Sequence, residues 1–159
     1  PDPLEEADLL VEILRGLGAV LVPVDGSDVS VTATQEAVEI TGDGGVVHVL
    51  AVIEKLPMHR RSGKAEKFAG RDERAKERRA EAAAAEAEDL VAAAGLDCET
   101  VVTEGVPSRE IATRAEEIGA DAIVVGKRSA RESAGDILGS TTERILKNAP
   151  TTVVAVPAG

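Results

Sequence analysis

One cysteine, one phenylalanine, one methionine and no tryptophan or tyrosine stand among the 159 residues of this chain. A lone cysteine, Cys98, permits no intrachain disulfide and no cysteine-rich metal centre. With a single phenylalanine to stack on bases, recognition of nucleic acid by stacking is all but excluded. A net charge of −11 argues against phosphate-backbone or anionic-membrane binding as the main role. No apolar run approaches the length of a membrane span and no signal-peptide pattern opens the chain, so a cytoplasmic protein without membrane insertion is expected. The chain begins on Pro1 rather than methionine, which is expected of a trimmed chain or a domain cut from a longer protein.

Several catalytic motifs are also missing. GxxxxGK[ST] is absent, the first strand is not followed by GxGxxG, and no HxE or HExxH pattern occurs. His48 and His59 cannot form a metal site alone, so protein side chains are expected to supply none. No paired carboxylates stand out, and His48 has no partner spacing that suggests a triad. The HxGH type of motif that an adenylylating or flavin-binding relative would need is absent as well.

What is present is alternation. Hydrophobic residues make up 43% of the chain and must pack as Val, Ile, Leu and Ala. Leu4, Ala7, Leu10, Ile13, Leu14 and Leu17 form a helical stripe, expected as an N-terminal helical extension over 1–18. AVLVPV (19–24) reads as a strand. Asp25-Gly26-Ser27-Asp28 is turn and cap chemistry, with a helix from about 29 to 41. Gly42-Asp43-Gly44-Gly45 reads as a break before a second strand over 46–54. A long loop is expected over 55–70, then a charged, Ala-rich helix to about 94. A third strand is placed at 99–105, a helix from Pro107 to Gly119, a strand at 121–125, a helix at about 140–148 and a fifth strand at 151–156. Strands alternating with helices, and reading as Val/Ile runs, imply an α/β domain over 19–159: a parallel sheet with helices on both faces.

The most informative stretch is DAIVVGKRSARESAGDILGSTT (121–142). A buried strand ends on Gly126, and Gly139-Ser140-Thr141-Thr142 opens a helix. Glycine lets a backbone approach an anion, and the free N–H groups of a helix start favour negative charge. VPVDGS (22–27), VVHVLAVIE (46–54) and ADAIVVGKR…LGSTTERILKNAPTTVVAVP (120–157) together resemble the universal stress protein A family. That resemblance implies an open five-stranded parallel sheet of order 3-2-1-4-5, to which the N-terminal helix is additional. It also implies binding of ATP or another adenine nucleotide through a loop G-2x-G-9x-G-[ST], with Mg2+ as a candidate companion.

Carried onto these residues, Gly126 is the first glycine of the loop and Gly139-Ser140 the final pair; Ser129 stands at the second glycine. Asp25 matches the residue that hydrogen-bonds adenine, with Pro23 and Val24 beside the base. Asp25 equally suits an Asx-type turn. Val52 fits an apolar wall for the adenine or a plain core position. Arg128 offers a charge-assisted donor to phosphates, or is an exposed loop arginine. Thr141 and Thr142 offer N–H and hydroxyl groups, or serve as helix-start residues.

The resemblance further implies a homodimer paired through the C-terminal strand, whose apolar edge invites it. The function expected is a stress-response protein signalling through nucleotide state and dimerisation. It is not expected to be an enzyme beyond slow, incidental ATP hydrolysis. The alternative is a non-nucleotide-binding dimeric regulatory or interaction domain, such as the soluble domain of a transporter. Residues 55–80 carry a net charge of +6 and the remainder −17. That basic stretch is a solvated loop and helix face, or it folds over the phosphates or docks an acidic partner.

Overall fold

The computed structural model describes residues 16–55, 65–127 and 138–157, with only the helical path given for 65–71. Residues 1–15 of the expected N-terminal helix, Arg128 and Ser129 therefore lie outside the described residues, while Leu17 and Gly18, expected to close that helix, open the first strand instead. Five strands form one parallel sheet: β1 (Leu17–Pro23), β2 (Thr41–Glu54), β3 (Asp97–Gly105), β4 (Ala122–Gly126) and β5 (Thr152–Val156). Their order is β3-β2-β1-β4-β5, as expected. The connecting helices are α1 (Asp28–Ile40), α2 (Ala65–Ala93), α3 (Pro107–Ile118) and α4 (Ser140–Asn148).

Local chemistry explains most boundaries. Ser27 caps α1, its hydroxyl accepting from the Ser30 amide at 3.3 Å. Pro107 opens α3, where its missing N–H costs nothing, and Gly119 closes it in the left-handed conformation at φ 60°. Asp121 ties the start of β1 to β4, because its carboxylate accepts from the amides of Gly18 and Ala19 at 3.1 and 3.0 Å.

Two boundaries differ from expectation. The Gly42–Gly45 tract lies inside β2 rather than before it. Opposite it, Leu17 pairs with Thr41 and Ala19 with Val46, so extra β2 residues bulge out between the two pairs. Gly44 takes φ 82°, and a Cβ on Gly45 would stand 2.7 Å from the Leu17 carbonyl, so glycine is what makes this bulge possible. The second difference is α2, which begins at Ala65 and runs through Gly70. One glycine in a helix costs about 1 kcal/mol relative to alanine, which strong helix formers on both sides offset.

Alternation along the strands builds two cores. Val20, Val22, Val47, Val49, Ala51 and Ile53 face α1 and α2, where Ala33, Ala37, Ala83, Ala84, Ala87 and Val91 meet them. Leu21, Leu50, Ile123 and Val125 face the other way, against Ile111, Ala115 and Ile145 of α3 and α4. Both faces of the sheet are thus covered, which is why its strands read as continuous apolar runs.

Candidate functional site

Strand order reverses between β1 and β4, and in open α/β sheets the crevice outside the strand ends at such a point receives ligands. A cavity of about 340 Å³ occupies it here. Three carboxyl ends supply its floor: Pro23, Val24 and Asp25 after β1, Leu50, Val52 and Glu54 at the end of β2, and Val125 and Gly126 at the end of β4. Ile111 of α3 and Ile145 of α4 close one side, and Lys76, Arg79 and Ala80 of α2 the other. Thr141 and Thr142 approach from the first turn of α4. A second crevice, near Gly26 and Ala83, has about 10 Å³, room for little more than one water.

Residues singled out in the sequence meet around this cavity: Pro23, Val24, Asp25, Val52, Gly126, Thr141 and Thr142 all line it. Gly139 and Ser140 are not among its lining residues. Gly139 instead is the N-cap of α4 at φ −70°, an extended conformation open to any residue, and Ser140 is the first residue of the helix. Asp25 takes the turn role: its Oδ1 accepts from the Ser27 amide at 2.9 Å and from the Ser27 hydroxyl. The side chain remains exposed at the cavity edge, so the turn fixes a carboxylate there rather than hiding it.

The Thr142 hydroxyl is committed to the protein. It donates to the Gly126 carbonyl at 2.8 Å, while the Lys127 amide donates to Val156 and the Gly139 amide to the Lys127 carbonyl at 2.7 Å. These three bonds hold the end of β4, the end of β5 and the start of α4 as one unit. Within the first turn of α4 the backbone N–H groups stay the donors available to an anion.

Sequence reasoning missed Leu50, Glu54, Lys76, Arg79, Pro107, Ile111, Val125 and Ile145 as cavity residues. For Pro107 and Ile111 the signal was their i, i+4 spacing on one face of α3. Lys76 and Arg79 stand four residues before Ala80 and Ala83, both buried, which puts all four on one face of α2. Among the described residues, two acids and two bases therefore surround the cavity, Asp25 and Glu54 against Lys76 and Arg79.

Other titratable groups sit elsewhere. His48 of β2 is 9% exposed, and its Nδ1 is 3.3 Å from a Glu99 carboxylate oxygen without hydrogen-bond alignment. Burial lowers its pKa below the ordinary 6.5; Glu99 opposes that, and Arg114 adds to it. Burial pushes the Cys98 thiol above its ordinary value, Glu88 and Glu99 push it further, and a hydrogen bond with Thr100 opposes them. A thiol so placed is a poor nucleophile. Among the described residues no group of three His, Cys, Asp or Glu side chains could hold a metal ion.

A model of the universal stress protein family matches residues 17–157. The chain belongs to that family. Universal stress protein MJ0531 of Methanocaldococcus jannaschii is 32% identical over 140 residues, covering 86% of this chain and 80% of the relative. Among solved structures, universal stress protein UspA of Lactobacillus plantarum superposes with a TM-score of 0.77 at 25% identity, covering 87% of this chain and 97% of its own. A universal stress protein solved in complex with cAMP superposes at 0.67 with 27% identity, covering 90% and 99% of the two chains. The sheet order and the helices on both faces of this universal stress protein agree with those relatives.

Proposed function

We propose that the cavity holds an adenine nucleotide, ATP or a related one, and that the protein reports its nucleotide state through contacts between copies. One observation carries this reading: residues from the ends of β1, β2 and β4 and the start of α4, more than a hundred positions apart in sequence, line one cavity at the strand-order reversal. Its apolar wall of Leu50, Val52, Ile111 and Ile145 suits a purine ring. The Asp25 carboxylate can accept from an exocyclic amine, and the α4 N-terminus favours the phosphates. A relative at 27% identity was solved with cAMP, which supports an adenine nucleotide as the ligand class.

The role in stress response, the cytoplasmic setting, and Mg2+ as a companion to the phosphates belong to the same proposal. So does dimerisation along β5, which among the described strands pairs with β4 alone, so that its other edge can take a partner. Turnover of the nucleotide is slow in this reading, since among the described residues none at the cavity is arranged as a general base with an orienting partner.

Calorimetry with ATP, AMP and cAMP, with and without Mg2+, tests the reading on the wild type and on Ser129→Gly. Saturable binding of an adenine nucleotide supports it, and tighter binding by the variant assigns the second glycine position of the loop to the phosphates. No heat from any nucleotide in either protein leaves the alternative, a dimeric interaction domain that binds none.

A further inference from the structure

From Ala80 onward, the inner face of α2 is alanine and valine, with Ala80, Ala83, Ala84, Ala87 and Val91 all at or below 9% exposed. Such small side chains let the helix lie close to β2 and β3. One turn earlier the same face changes character: Lys76 precedes Ala80 by four residues and Arg79 precedes Ala83 by four, and both line the cavity. The helix has 29 residues, about 43 Å at 1.5 Å per residue. Among the described side chains of α2, burial begins at Ala80, and the turn before it, with Lys76 and Arg79, lies beside the carboxyl ends of the strands. The change from alanine to cation therefore falls at the mouth of the site.

The two cations are differently held. The Lys76 side chain is only 18% exposed, and its ammonium lies 3.7 Å from Asp72 one turn back. This is a loose ion pair on the same helix, and it positions the ammonium without consuming its other donors. Among the described residues, no carboxylate stands within ion-pair distance of Arg79, although the chain has 29 acids against 18 basic residues. Lys55, by contrast, just past the carboxyl end of β2, is engaged by Glu104 at 2.7 Å and is not among the residues lining the cavity. Across the cavity stands the first turn of α4, with Thr141 and Thr142 among the lining residues.

We propose that Lys76 and Arg79 of α2 form a cationic wall that holds the phosphate of the bound nucleotide, so the site selects phosphorylated adenosine over the neutral nucleoside. This rests on the adenine nucleotide reading and adds to it a basis for discrimination on the α2 side. A lysine ammonium and an arginine fork suit a dianionic phosphate, and charge-assisted hydrogen bonds of this kind are about twice as strong as neutral ones. The wall acts on charge alone and leaves recognition of the base to Asp25 and Val52.

Titrating ATP, AMP and adenosine into the wild type and into a Lys76→Gln/Arg79→Gln double variant tests this. Arg78→Gln, on the neighbouring exposed position outside the cavity, serves as the charge control. In the double variant ATP and AMP affinity fall by about tenfold or more while adenosine affinity stays within about twofold, and Arg78→Gln changes neither. Thermal unfolding checks that the variants stay folded, as is expected because neither cavity side chain belongs to the buried cores. Wild-type binding of ATP with unchanged affinity in the double variant overturns the cationic wall and leaves the nucleotide reading standing. An equal loss in Arg78→Gln also overturns it, since the effect is then the general field of the helix. A wild type that binds no adenine nucleotide removes both.

Discussion

The two faces of the sheet are packed by different chemistry. Toward α1 and α2 the contacts are valine on the strands against alanine on the helices, with Ala33, Ala37, Ala83, Ala84 and Ala87 nearly or fully buried. Toward α3 and α4 they are larger: Leu21, Leu50, Ile111, Ile123 and Ile145. The small-residue face lets its helices approach closely and leaves little void. The large-residue face continues past the strand ends, so Leu50, Ile111 and Ile145 belong both to the core and to the cavity wall. The site is thus an extension of one core, completed from the other face by polar residues.

Substitutions that exchange these two regimes test the contrast. Ile123→Ala, at a fully buried position on the large-residue face, is expected to cost about 2–5 kcal/mol in denaturant unfolding, by lost transfer free energy and the cavity left behind. A cost below about 1 kcal/mol would mean that this face repacks freely. Ala83→Leu reverses the experiment on the small-residue face. Extra methylenes there have to displace the turn at Gly26, whose Cβ position lies 3.7 Å from the Ala83 Cβ, so a loss of about 1–3 kcal/mol is expected. A neutral result would show that α2 is loosely seated.

Smaller effects probe the polar ties between the faces. Thr142→Val removes the hydroxyl that donates to Gly126 and leaves that carbonyl to find another partner. About 1 kcal/mol of stability should be lost, with faster amide exchange at Lys127 and Gly139. Unchanged exchange at both amides would show that the two remaining bonds hold this corner alone. The smallest effect belongs to His48. Its folded pKa lies below the unfolded 6.5, so the folded state takes up a proton less readily than the unfolded chain. No penalty exists well above pH 6.5. It grows as pH falls through 6.5 toward the lowered folded value. His48→Gln should flatten the stability loss between about pH 7 and 5, measured by urea unfolding, and an identical slope in both proteins would assign that loss to other groups.

Much of the architecture was legible because punctuation and pattern agree. Ser27, Pro107 and Gly119 mark helix ends by capping and backbone chemistry that acts locally, and the Val/Ile runs mark strands covered on both faces. The glycine tract at 42–45 was misread because glycine alone signals a break, whereas its use here depends on a carbonyl of Leu17 that only the folded sheet brings near. Gly70 was misread for a similar reason, as its neighbours favour helix strongly enough to carry it. At the site, Asp25, Val52 and Gly126 were legible through a family resemblance carried residue by residue. Lys76 and Arg79 were hidden in a basic stretch, and the position of Ala80 against the strand ends shows that these two, among its described cations, reach the cavity.

The central claim is that an adenine nucleotide occupies the cavity between the ends of β1, β2 and β4. The direct measurement is a calorimetric titration of ATP into the wild type and into Val52→Arg, whose side chain fills the cavity from the end of β2, with thermal unfolding confirming that the variant is folded. Saturable binding at one nucleotide per chain, abolished in Val52→Arg, is the result predicted. Absence of binding by the wild type, or equal affinity in the blocked variant, would contradict it.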